Sequence, residues 1–272
     1  MFAKLLKHEW KDSARLLGIL TLCALATGPL GGALIRILTW AFEASMTDDR
    51  MALLIVGFIM LLIGLMLALF LYSWGTQMYL FYRFYKTRFT DQGYLTFTLP
   101  AGNRSIFLSA YVHILIWVGI STLTVFAAIA TAAAIGCAGH VDMAEIQEGF
   151  RFYQEALEGS PFDGYGLLQF VGILISSVSS VMIAMACITV GAVVAKKLKL
   201  LAAFGIYYGQ SIAMATLASV LQLVATFATM GIGGFEENFY LASYLTYVVQ
   251  ALWAVGAYFL SMHLINKKLN LP

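Results

Sequence analysis

The residues with the clearest chemical potential lie in one run, Thr90-Asp91-Gln92-Gly93-Tyr94-Leu95-Thr96-Phe97-Thr98-Leu99-Pro100. Their types suit docking rather than catalysis. Asp91 can cap a helix start, and Gly93 permits a tight turn. Tyr94, Leu95, Phe97 and Leu99 supply apolar anchors of the kind that concentrate binding energy in a small interface. Pro100 ends the element. The alternative is a plain interfacial re-entry into the next hydrophobic segment. Signals for bond-breaking chemistry are missing. There is no G-x-x-x-x-G-K-[ST] phosphate cradle, no H-E-x-x-H and no G-x-S-x-G. His8, His113, His140 and His263 are scattered, and Cys23, Cys137 and Cys187 are far apart without C-x-x-C spacing, so neither a disulfide framework nor a zinc site is expected. We expect no catalytic residue and no metal in this chain.

The elements that must position the docking run follow from composition. Of 272 residues, 61% are hydrophobic and 11% charged, against roughly 45–50% and 25% in soluble chains. The aromatic content of 14% argues against disorder. Stretches without Asp, Glu, Lys or Arg run from Leu16 to Ile35, Met51 to Tyr82, Ser105 to Val141, Gly164 to Ala195, Leu200 to Phe235 and Asn238 to Asn266. Each is long enough to cross a ~30 Å hydrocarbon core as a helix. The reading is an all-α integral membrane protein, one transmembrane domain over 1–272. Its six transmembrane helices are placed at about 16–42, 51–86, 105–138, 164–195, 200–230 and 239–266.

Charge sets the orientation. One set of loop ends holds thirteen Lys and Arg against three acidic residues, and the other holds three against eleven. The positive-inside rule then places both termini in the cytoplasm. Basic residues spread over four membrane edges do not make a nucleic-acid footprint, so no nucleic acid is expected. Lys4–Arg15, the apolar Leu16–Leu22 and Ala24-Leu25-Ala26 look like a secretory signal, but the apolar run continues past Ala26 and favours a retained span.

Residues 1–15 read as an interfacial helix, or alternatively as a plain positively charged lead-in to the first span. Phe2, Leu6, Trp10 and Leu17 share a face, and Lys4, Lys7, Lys11 and Arg15 occupy others. Gly28 and Pro29 predict a kink or break in the first span, a feature shared by substrate-lining helices and by simple bent ones. The second span has 32 uncharged residues, roughly 48 Å of helix. It continues into Tyr79, Phe81, Tyr82, Phe84, Tyr85 and Phe89, interleaved with Arg83, Lys86 and Arg88, so it should project into the cytoplasm. Gly172, Ser176, Ser180 and Ala184, and likewise Gly205, Gly209 and Ala213, form small-residue faces. Such faces mark close helix contact, internal or between subunits. The 139–163 segment carries Met143, Ile146, Phe150 and Tyr153 at helical spacing. It should lie amphipathically on the outer surface, as a lid or as a connector. No span carries Asp or Glu, and ion-coupled carriers rely on ionisable groups at depth. Uphill transport would therefore draw its energy from another chain.

The D-x-G-Y-L-x-x-T-L-P character of Asp91–Pro100, following an aromatic-basic helix, resembles the permease subunits of ABC-2-type exporters, and the six spans and basic N-terminus are similar too. Relatives carry Ser-Lys early in the third span, whereas this chain has Ser109-Ala110. The resemblance implies that Asp91, Gly93, Tyr94, Leu95, Phe97 and Leu99 form a coupling helix between the second and third spans. This helix would dock on a separate ABC ATPase subunit, with residues 1–15 (Lys4, Lys7, Trp10, Lys11) touching the same partner. ATP and Mg would be bound by that ATPase. A second copy or a paralogous permease would complete the pathway in a bacterial cytoplasmic membrane. The cargo would be amphipathic or hydrophobic: first an amphipathic peptide such as a bacteriocin or phenol-soluble-modulin-like toxin, then a lipid or drug. A non-transporting membrane sensor or scaffold for an ATPase is the alternative.

Overall fold

The computed structural model describes residues 2–44, 49–90, 92–93, 102–138, 147–149, 151–152, 154–155, 165–195, 197–228 and 235–267. Among them there is no strand. Six long apolar helices account for the architecture: α1 (Phe2–Ala44), α2 (Asp49–Phe89), α3 (Asn103–Cys137), α4 (Tyr165–Val194), α5 (Lys199–Ala228) and α6 (Phe235–Lys267). Each contains a stretch long and apolar enough to cross a membrane. The protein is therefore an all-helical chain with six candidate membrane spans. Wide apolar exposure on α2, including Met60, Ile63, Met66, Leu67 and Phe70, fits a hydrocarbon solvent.

Residues 1–15 are continuous with the first span, because Phe2–Ala44 is one helix of 43 residues. The reason is visible in its buried positions: Ser13, Leu17, Ala24, Gly28, Gly31, Gly32, Leu38 and Ala41. They recur at spacings of one or two helical turns, so the basic N-terminal turns and the apolar span share one inward stripe. Of the kink or break expected at Gly28 and Pro29, the break is excluded, since the helix runs on through Pro29. A proline in a spanning helix is tolerated where neighbouring groups and packing support the freed carbonyl. Pro29 itself is exposed, while Gly28 beside it is packed.

The chain divides into two compact units. One comprises Ala3–Leu80 and Val112–Gly149. In it α1 and α3 run parallel and α2 runs against both. Gly28 packs on Ala128 and Thr131, Gly32 on Ala132 and Ile135, and Gly136 on Ile35, with both residue numbers rising together. On the α2 side, Thr21 Oγ1 meets Tyr72 Oη at 2.9 Å, and Ala24, Leu69 and Ala128 form a buried cluster. Between α2 and α3 lies a lateral apolar cleft of about 340 Å3, lined by residues including Met66, Phe70, Ser73, Thr122 and Phe126.

The other unit comprises Met1–Phe2, Phe81–Tyr111 and Phe150–Pro272. Here α4 is central. Every residue from Val181 to Thr189 is buried, which is the pattern of a helix surrounded on all sides. Gly172 lies against the Tyr247 ring, and Ser176 Oγ donates to Gln250 Oε1 at 3.0 Å, so α4 and α6 run parallel. Gly191 abuts the Ala203 backbone, closing α4 onto α5 through a short turn in which Leu198 has φ 55°. The small-residue face on α4 is packed at Gly172, Ser176 and Ala184, but Ser180 is exposed. The corresponding face on α5 is not packed: Gly205, Gly209 and Ala213 are all exposed.

Candidate functional site

Two clusters of polar and aromatic side chains stand out from the apolar packing. The first surrounds the two ends of the 90–102 connection. At the end of α2, Thr90 Oγ1 donates to Lys86 O at 2.6 Å, and the Gly93 N–H donates to Thr90 O at 2.7 Å. Gly93 is buried and closes a helical turn after α2. At the start of α3, Gly102 O accepts from the N–H groups of Ser105 and Ile106, so its carbonyl opens the helix.

These two ends are tied directly to each other. Arg88 is 6% exposed, and its Nη2 donates to Ile106 O at 3.4 Å. Phe84 packs edge-on against both Phe89 and Phe107, with centroids 5.6 and 5.9 Å apart. Phe107 in turn meets Tyr258 of α6 at 6.1 Å. Asn103 Nδ2 donates to Asn266 Oδ1 at 2.9 Å, tying the start of α3 to the end of α6. A buried guanidinium is costly to desolvate unless its donors find acceptors. Near the C-terminus of α2 its charge also complements the helix dipole. The aromatic-basic tail of α2 is therefore built into the protein: Phe84, Arg88 and Phe89 are buried, and Lys86 is exposed.

The second cluster joins α1 to α3. Ser13 Oγ lies 2.8 Å from His113 Nε2, and His113 Nδ1 lies 3.9 Å from Glu9 Oε2. Ser13 and His113 are buried. One turn away, the Trp10 and Trp117 rings stack at 4.9 Å with planes 19° apart. The buried Trp117 Nε1 has no hydrogen-bond partner among the described residues. On the opposite side of α1, His8 Nδ1 pairs with Asp12 Oδ2 at 3.3 Å, well exposed.

Comparisons with protein-family models, with curated proteins and with solved structures find no match.

Of the residues singled out in the sequence, Gly93 is placed at the α2 end of the connection. Asp91, Tyr94, Leu95, Phe97 and Leu99 lie outside the described residues, as do Met143, Ile146, Phe150 and Tyr153. Lys4, Lys7 and Lys11 are exposed, while Trp10 is half-buried in its stack. Gly28 and Pro29 sit mid-helix, with Gly28 against α3. The Glu9–Ser13–His113 cluster was not foreseen. Ser13 and His113 are 100 residues apart, and the one local signal was Ser13 in phase with Leu17 on the inward stripe.

Proposed function

We propose that this chain is the membrane-spanning permease subunit of an ATP-driven exporter of the ABC-2 type, working in a bacterial cytoplasmic membrane. The observation that carries the reading is the braced base of the 90–102 connection. Arg88–Ile106, Phe84–Phe107 and Asn103–Asn266 hold the end of α2, the start of α3 and the end of α6 together. A segment mounted on such a base can take a push from outside and pass it to three helices at once. That is what a coupling helix needs, and an unbraced re-entrant loop would absorb the motion instead.

In this reading Asp91, Gly93, Tyr94, Leu95, Phe97 and Leu99 dock in a groove of a separate ATPase subunit, which binds ATP and Mg. Closure of the ATPase pair on nucleotide drives the docked segment, and the base converts that displacement into rearrangement of α2, α3 and α6. The exposed Lys4, Lys7 and Lys11 of α1 offer a second, basic contact to the same partner. Both termini lie on the cytoplasmic side, with the 139–163 segment outside. The uncovered Gly205–Gly209–Ala213 face on α5 suits close approach of a second permease, identical or paralogous, since small faces without an internal partner promote helix association in lipid. The described spans present apolar, small and aromatic surface, which suits an amphipathic or hydrophobic cargo, a peptide first and a lipid or drug next.

Co-expression with an ABC ATPase should yield a co-purifying complex. Tyr94→Asp with Leu95→Asp should lose the ATPase while all six spans remain inserted. Retention of the ATPase by that variant would sink the docking assignment. Cargo flux that survives nucleotide depletion but collapses with an ion gradient would sink the exporter reading as a whole.

A further inference from the structure

Helices α3 and α6 meet at two levels, close to where α3 begins and α6 ends. Asn103 Nδ2 donates to Asn266 Oδ1 at 2.9 Å, and one turn further along α3 the Phe107 ring lies 6.1 Å from that of Tyr258. Residue numbers rise on one helix as they fall on the other, so the pair is antiparallel. In an antiparallel pair of right-handed helices, the residue that follows a contact position turns to the same side of the seam on both. Here those residues are Arg104 and Lys267, and both are exposed. His263 and Phe259 precede Lys267 by one and two turns on the same face of α6, and they are exposed as well. Neither Arg104 nor Lys267 has an ion-pair partner among the described residues. Candidate spans begin at Asn103 and end at Lys267, so both cations stand at one membrane edge, and Phe259 lies about 12 Å deeper.

We propose that the α3–α6 seam binds an anionic phospholipid at this edge. The Arg104 guanidinium takes two phosphate oxygens through its planar fork. The Lys267 ammonium supplies a second charge from the other helix, and a ring N–H of His263 donates to the ester oxygens below. One acyl chain runs down the seam past Phe259. The order of phenyl, imidazole and ammonium along α6 follows the order of hydrocarbon, ester and phosphate in a lipid, which is why the source of the phosphate is a lipid. Basic pockets between spanning helices are a recurrent site for such headgroups. The surrounding charge selects among headgroups. From Phe81 to Ala110 and from Val255 to Pro272 the sequence holds six Lys and Arg against one carboxylate, Asp91. Of the six, Arg88 is buried and donates to Ile106 O. The turn between α4 and α5 adds Lys196, Lys197 and Lys199 and no acid. A zwitterionic headgroup would bring its own ammonium into that surplus of like charge, whereas a phosphate with an uncharged substituent would not. The inference rests on the six spans and needs neither an ATPase nor a cargo, so it is decided apart from the exporter reading. A lipid held there would clasp the same two helix ends that the Asn103–Asn266 bond joins.

The test is native mass spectrometry of the full chain released from detergent. Phosphatidylglycerol and phosphatidylethanolamine with the same acyl chains are added in turn, and glycerol phosphate serves as the chain-free probe. Wild type should hold phosphatidylglycerol about fivefold or more tighter than phosphatidylethanolamine, and glycerol phosphate should not bind at concentrations that saturate the lipid. Arg104→Gln with Lys267→Gln should weaken phosphatidylglycerol binding by about tenfold or more and leave phosphatidylethanolamine binding unchanged. Lys86→Gln with Lys197→Gln removes the same charge from exposed positions on α2 and in the α4–α5 turn, and should change either lipid by no more than about twofold. Equal losses in the two double variants overturn the site, since any basic edge would then serve. Glycerol phosphate bound as tightly as the lipid overturns the lipid assignment. A wild type that holds both lipids equally overturns the proposal without any variant having to fold, and leaves these cations to an acidic protein surface.

Discussion

Adding a single methyl at a glycine should have opposite signs on α1 and α2. At Gly28 a Cβ would stand 2.7 Å from Ala128 O and 3.0 Å from Ala128 Cα, and at Gly32 it would stand 2.6 Å from Ile135 Cβ and 2.9 Å from Ala132 O. Non-bonded carbons normally rest about 3.5–4.0 Å apart. The obstructing atoms are backbone or branched at Cβ, so no rotamer change clears them, and α1 and α3 must part by about 1 Å. Overpacking of this kind costs roughly 1–3 kcal/mol, or about 2–12 °C in a chain of this size. Gly64 and Gly75 on α2 have nothing within 4 Å of the same added atom. There the methyl meets no obstacle, and replacing a helical glycine by alanine gains roughly 0.5–1 kcal/mol. The assay is thermal unfolding of the detergent-purified chain, comparing Gly28→Ala and Gly32→Ala with Gly64→Ala and Gly75→Ala. The first pair should melt below wild type and the second pair at or above it. If all four shift in the same direction, the close α1–α3 contact is wrong.

The stacked Trp10–Trp117 pair should show a coupling of about 0.5–1.5 kcal/mol in a double-mutant cycle with leucine at each position, and zero coupling would mean the rings do not meet. Arg88→Lys loses the fork that reaches Ile106 O and should cost about 1–3 kcal/mol, whereas Lys86→Gln on the exposed side should stay within about 0.5 kcal/mol; equal effects in unfolding would contradict the burial of Arg88. Leu198 occupies the left-handed region at φ 55° with its side chain in the open, so Leu198→Val should lower the melting temperature while Leu198→Asn should not, and the reverse order would refute the strained turn. Deleting residues 143–157 should change cargo preference or basal ATPase activity of the assembled exporter if that segment acts as a lid, and unchanged transport would make it a connector.

Much of the architecture was readable because lipid imposes a blunt rule: a spanning helix must be long and uncharged, and six stretches are. Packing was less readable. Gly28 and Gly32 look like Gly205 and Gly209 on paper, since all are small residues four apart on one face. The first pair is pressed against α3 and the second has no neighbour within 4 Å among the described residues, because a small face shows that a partner can approach without saying which chain supplies it. Arg88 read as a surface charge because basic residues at helix ends usually meet water. Its burial depends on Ile106 O being within reach, a contact set by the return of the chain through α3. The continuity of the N-terminal turns with the first span was missed for a related reason. The lysines of those turns drew attention to the polar faces, although Ser13 and Leu17 were already in phase with Ala24, Gly28 and Gly32. The Glu9–His113 pairing lay beyond any local pattern.

The two meeting places of α1 and α3 bear on how this pair can move. One is at Ser13–His113 and the other at Gly28–Gly32 against Ala128–Ile135, separated by roughly 25 Å of helix. A rod fixed at one point can swing like a clock hand, but a rod bolted at two points that far apart cannot scissor. Alpha-helices are stiff over that length, so α1 and α3 are left with shared movements: tilting, sliding or turning as one beam. A force applied to the exposed lysines at the start of α1 therefore reaches the far end of α3 with its direction preserved.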